Sequence, residues 1–110
     1  MSYRVIYNSV AQRITVTLIS ASGASAIATI DRGARKTPVY FGEGENDPLH
    51  KLILSYSEPW TGENTVITYE VNVVGQGIDH VFNDNNTLYF DKFGESPFTI
   101  KMYGRNMKGI

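Results

Sequence analysis

Apolar and polar residues alternate along most of this chain with a period of two. Between Arg13 and Leu18, the apolar Ile14, Val16 and Leu18 alternate with Arg13, Thr15 and Thr17. Successive side chains of a strand point to opposite faces, so the pattern predicts a strand with one buried and one wet face. The alternation recurs where Leu52, Leu54 and Tyr56 oppose Lys51 and Ser55, and where Ile67, Tyr69, Val71 and Val73 oppose Thr68, Glu70 and Asn72. Towards the C-terminal end Phe98, Ile100 and Met102 alternate with Thr99 and Lys101. Shorter segments of the same kind are YRVIYN, SAIATI, PVYF and TLYF. Turn chemistry separates them, in SASGAS, DRGARK, GEGENDP, EPWTGEN, GQG, NDNN and FGES. No window repeats apolar residues at helical spacing over three turns, and IDHVFNDN is expected to form at most one short helical or irregular turn. These segments predict an all-β chain of about eight strands, an antiparallel β-sandwich, with a closed barrel as the alternative.

The 110 residues fit a single domain spanning 1–110. Cysteine is absent, which excludes disulfides, thiolate metal sites and cysteine nucleophiles, so the fold rests on packing. Ten basic and eleven acidic residues are spread evenly for a net charge of −1, with no basic stripe to neutralise phosphates, and nucleic acid is not an expected partner. The densest basic cluster is Arg32, Arg35 and Lys36, beside Asp31: a solvated turn, or a contact for anionic headgroups. No apolar run near Arg4 and Arg13 is long enough for a signal segment, and none elsewhere reaches the length of a membrane span. A protein made soluble, meeting a membrane only through its surface, is expected; its compartment is left open.

The chemistry of catalysis is sparse. His50 and His80 lie far apart with no HExxH, and the loop carboxylates Glu43, Glu45, Asp47, Asp79 and Asp84 lack the ligand spacing of a calcium loop. They read as turn residues, and neither metal nor cofactor is expected. There is no nucleophile elbow and no glycine-rich loop with phosphate-binding spacing, so a non-enzymatic protein is expected. The aromatic content is more informative: seven tyrosines, five phenylalanines and one tryptophan, Trp60, which follows Pro59 in a polar turn. Trp60 either folds back to cap the core or forms an exposed aromatic tip, suited to headgroups, sugar faces or a protein partner.

At this turn, Tyr56, Glu58, Pro59, Trp60, Gly62 and Asn64 resemble a segment of the aegerolysin family, small β-sandwich proteins of fungi and bacteria. The openings RVIYNS and RITVTLI and the closing FTIKMYGRN are similar too, although this chain is shorter and poorer in tryptophan. The resemblance implies binding to membrane lipid, as one component of a two-component cytolytic or insecticidal toxin whose larger partner forms the pore. Trp60, Tyr56, Glu58 and Asn64 would then meet the headgroup, with Arg32, Arg35 and Lys36 on its phosphate. A looser similarity, through NSVAQRITVTLISASG, GARKTPVYFGEGEN and YGRNMKGI, connects the chain to actinoporin-like cytolysins and fungal fruit-body lectins. It implies a lectin-like module for cell-surface glycans, with Trp60 or a loop tyrosine stacked on a sugar. The first strand is expected to begin near residue 3, so an N-terminal helix that inserts into a bilayer is not expected. A structural or assembly protein that forms homo-oligomers through its sheet edges is the third expectation.

Overall fold

The computed structural model describes residues 3–10, 12–33, 37–42, 47–57, 62–71, 82, 86–95 and 98–105, with side chains in the last two stretches at 86–91, 100 and 102. Its strands are β1 (Tyr3–Asn8), β2 (Ile14–Ser20), β3 (Ser25–Ile30), β4 (Thr37–Tyr40), β5 (Leu49–Ser57), β6 (Asn64–Glu70), β7 (Thr87–Glu95) and β8 (Phe98–Arg105). They form two sheets, ordered β4-β1-β7-β8 and β3-β2-β5-β6. The chain is all-β, and among the described residues no strand pairing joins the two sheets into one barrel.

Alternation decides which side chains go inside. On β2, Ile14, Val16 and Leu18 are buried while Thr15, Thr17 and Ile19 are only half-covered. On β5, Leu49, Leu52, Leu54 and Tyr56 are buried. Ile6, Val39, Leu88, Phe90, Ile100 and Met102 of the other sheet join them in one hydrophobic cluster, together with Phe82. Each such side chain stabilises the fold by roughly 1.5–3 kcal/mol through area removed from water. No buried side-chain nitrogen or oxygen among the described residues lacks a hydrogen bond.

Two expectations need correction. Pairing is not antiparallel throughout: β1 runs parallel to β7, with Val5 opposite Thr87 and Asn8 opposite Phe90. Parallel neighbours cannot be joined by a tight turn, and here nearly the whole chain lies between them. The segment FGES is not all turn either, because β7 continues through Phe93, Gly94 and Glu95. The register shifts between Lys92 and Gly94, and a residue without a side chain suits the bend of such a bulge.

Arg4 is the charged residue on the inward side of β1. Its Nε donates to the Phe82 carbonyl at 2.6 Å, its Nη1 to the Tyr3 carbonyl at 2.7 Å, and its guanidinium lies 5.6 Å from the centre of the Phe41 ring. Burial holds its pKa below the ordinary arginine value. Asp47, one of the suspected loop carboxylates, serves the β2–β3 turn: Ser22 donates to it through N at 3.1 Å and Oγ at 2.6 Å. In that turn Gly23 has φ of 95°, a left-handed conformation that favours glycine.

Candidate functional site: a polar groove on the second sheet

The outward positions of the second sheet carry the polar half of the alternation. Thr15 stands opposite Ser55, Ser55 opposite Val66, and Ser57 opposite Asn64, so the start of β2, the end of β5 and the start of β6 meet at one corner. There, Gln12, Arg13, Thr15, Ser55, Tyr56, Ser57 and Asn64 line an open depression of about 490 Å³. A second depression of about 450 Å³ adjoins it across Arg13 and is lined by Arg13, Asp31 and Arg32.

Hydrogen bonds hold this corner in shape. Gln12 Nε2 donates to the Ser57 carbonyl at 2.7 Å, and Ser55 Oγ donates to Asn64 Oδ1 at 3.2 Å. Arg13 Nε donates to Asp31 Oδ1 at 3.0 Å, an exposed ion pair that screens the arginine without fixing it strongly. Beneath them lies Asn8, fully buried at the end of β1. Its Nδ2 donates to the carbonyls of Gln12 at 2.9 Å, Asp31 at 3.0 Å and Ile30 at 3.3 Å, and its Oδ1 accepts from Val10 N at 3.0 Å. One buried amide therefore ties down the backbone of Gln12 in the groove and of Asp31 in the adjoining depression.

Of the residues singled out in the sequence, Asn64 and Tyr56 line the groove and Arg32 lines the adjoining depression. Tyr56 is only 3% exposed and belongs to the core, because its register position points inward with Leu52 and Leu54. The exposed aromatic role expected of it does not fit that place. Glu58, Trp60, Arg35 and Lys36 lie outside the described residues. So do Glu43, Glu45, Asp79, His80 and Asp84, whereas His50 sits half-exposed 3.5 Å from Glu70.

Sequence reasoning overlooked Gln12, Arg13, Thr15, Ser55 and Ser57. Their signal was the polar phase of the alternation, which marks a wet face without saying which polar residues converge. It also overlooked an aromatic surface on the first sheet. Tyr3 and Tyr40 pack at 5.3 Å between ring centres, and Tyr7 stacks on Tyr89 at 4.4 Å. Tyr3 and Tyr7 share a face of β1, as a period of two requires, and β4 and β7 supply their partners.

Comparison with protein-family models, curated proteins and solved structures finds no match to this chain. The groove is therefore read on its own chemistry.

Proposed function

We propose that this protein is a non-enzymatic recognition domain, an eight-stranded β-sandwich that binds a neutral, hydroxyl-rich ligand, a saccharide, in the groove of its second sheet. The observation that carries the reading is the lining. Three hydroxyls (Thr15, Ser55, Ser57), two carboxamides (Gln12, Asn64) and one guanidinium already paired with Asp31 converge on one open depression. Such a set offers donors and acceptors in turn while holding little net charge, which matches sugar hydroxyls better than an ionic ligand. The hydrogen bonds Gln12–Ser57 and Ser55–Asn64 support it by ordering the wall before a ligand arrives. A glycan array followed by calorimetry with the strongest saccharide tests it. Binding that Asn64→Ala and Arg13→Ala each weaken about tenfold or more, the loss of one or two hydrogen bonds, is expected. An array without saccharide-inhibitable signal would sink the reading.

A lipid headgroup is the second reading, favoured by the adjoining depression, where Arg13 and Arg32 outnumber Asp31. Co-sedimentation with sphingolipid and anionic vesicles separates the two: vesicle binding lost in Arg32→Ala but kept in Asn64→Ala favours the headgroup. A pore-forming partner belongs to this reading alone.

A further inference from the structure

A sheet edge exposes a row of unpaired backbone donors and acceptors, and proteins usually guard it with charge, proline, bulges or short length. Three of the four edges here are guarded. β4 has four residues and contains Pro38, and the sequence of β8 includes the charged Lys101 and Arg105. β6 is flanked by Glu63 and ends in Glu70, so a two-fold pairing of β6 would bring Glu63 of one copy towards Glu70 of the other. β3 is different. Its six residues, Ser-Ala-Ile-Ala-Thr-Ile, include no charge and no proline, and Ile27 is 73% exposed, more than any other large apolar side chain described.

The hydrogen-bond phase shows what this edge offers. Ser20 N donates to the Ala24 carbonyl at 2.8 Å, so Ala24 turns its polar groups towards β2. Backbone groups of an antiparallel strand alternate in direction. Ala26, Ala28 and Ile30 therefore also face β2, opposite Leu18, Val16 and Ile14. Ser25, Ile27 and Thr29 direct their N–H and C=O groups to the open side, where no described strand pairs with β3. The same three residues are the exposed ones of β3.

We infer that β3 pairs antiparallel with β3 of a second copy of this chain, in the register that sets Ile27 opposite Ile27. That register is self-complementary. It places Ser25 of each copy opposite Thr29 of the other, and all three outward N–H and C=O pairs of each strand find partners. The Ile27 side chains meet on one face, giving a two-fold interface of the kind most homodimers use. Charges agree with it: Asp31 of one copy lies opposite Gly23 of the other, far from its own counterpart, and is paired with Arg13. The two second sheets become one continuous sheet. Because the dyad of an antiparallel pair stands perpendicular to the sheet, both polar grooves open on the same side. Two-point attachment to a surface follows, and that consequence alone rests on the saccharide reading.

Sedimentation equilibrium up to about 1 mM, the weak end of specific association, should show a species of twice 12.3 kDa. Ile27→Lys sets like charges opposite each other, and Thr29→Pro removes an outward N–H while leaving the ladder to β2 whole. Each should abolish the dimer at the concentration where the wild type is half associated, with the circular dichroism unchanged. If Thr29→Pro does not fold, Ile27→Lys still decides. The chain has no cysteine, and the α-carbons of a hydrogen-bonded antiparallel pair stand about 5.5 Å apart, within disulfide reach. Ile27→Cys should thus oxidise to a covalent dimer, whereas Val66→Cys on β6 should not. A strict monomer at every concentration, a dimer that survives both edge variants, or equal cross-linking through Val66→Cys would overturn the inference. None of these results bears on saccharide binding.

Discussion

Replacing Asn8 with alanine tests how the groove and the fold depend on each other. The buried carboxamide makes four contacts, of which those with Val10 N and the Ile30 carbonyl lie in the interior. The Gln12 and Asp31 carbonyls are partly exposed and can turn to water. The Ile30 carbonyl keeps its place in the β2–β3 ladder opposite Ile14, so Val10 N is the interior group left without its partner, a loss of roughly 1–3 kcal/mol. For a domain of this size that lowers the melting temperature by roughly 5–20 °C. Urea unfolding followed by tryptophan fluorescence and circular dichroism measures it. The variant that remains folded should also bind saccharide less tightly, because Gln12 and Asp31 lose their common tether. Asn8→Asp adds a pH signature. A carboxylate among these carbonyls is disfavoured, so its folded-state pKa rises above the unfolded value of about 3.9. The folded state is then least harmed below pH 4, and the deficit grows as pH rises through the raised pKa. A loss below about 1 kcal/mol for Asn8→Ala, or a deficit of Asn8→Asp that does not grow between pH 4 and 7, would refute this account.

Other consequences are simpler to measure. Burial, followed by the neighbouring Tyr56, raises the pKa of Tyr69 above 10.0. Its contribution to stability is full below that pH and is lost as pH climbs through the raised value, so Tyr69→Phe should soften the alkaline unfolding transition and remove a late component from the tyrosine absorbance titration. Gly23→Ala meets no neighbouring atom yet must adopt a φ of 95°, and urea denaturation should show a loss of about 1–2 kcal/mol from backbone strain alone. Arg4→Met keeps part of the apolar stem but leaves the Phe82 carbonyl without its donor, and a loss of about 1–3 kcal/mol is expected in the same assay. Removing the exposed Arg13–Asp31 pair through Asp31→Ala should change stability by less than about 1 kcal/mol.

Local alternation made the strands of the second sheet legible. Ile14, Val16, Leu18, Leu52, Leu54 and Tyr56 lie inside, on the face their period assigns to them. That same rule conflicts with giving Tyr56 a surface role, since it shares its phase with Leu52 and Leu54. The parallel pairing of β1 with β7 was not legible, because alternation within a strand says nothing about its neighbour or its direction. For the same reason the Tyr7–Tyr89 stack was hidden: each tyrosine is unremarked in its own segment, and only the pairing brings the rings together. At the groove the polar residue types were visible, but their convergence depends on three registers that no local pattern encodes.

The outer surface of the second sheet can be followed row by row. One row runs Thr29, Thr15, Ser55, Val66, the next Ile27, Thr17, Ile53, Thr68, and the third Ser25, Ile19, Lys51, Glu70. Two of these rows contain no charge, and the third has its charges paired at one end, with Lys51 3.7 Å and His50 3.5 Å from Glu70. A surface chosen only for solubility would alternate charges on such outward positions. Hydroxyls and short aliphatic side chains cost less to desolvate than ions, so these two uncharged rows can be covered by a partner without stranding a charge. The groove at one end and the unguarded edge of β3 are the two places where that low cost has a directional complement: side-chain amides and hydroxyls in the first, backbone N–H and C=O groups in the second. If Ile27 meets Ile27 across a dyad, with Thr29 opposite Ser25, the middle row continues from Ile27 into a second Ile27, and this uncharged row doubles in length between the two grooves. Binding to an immobilised saccharide surface should then weaken in Ile27→Lys, while binding to the same saccharide free in solution stays unchanged. Equal weakening in both formats would show instead that residue 27 shapes the groove itself.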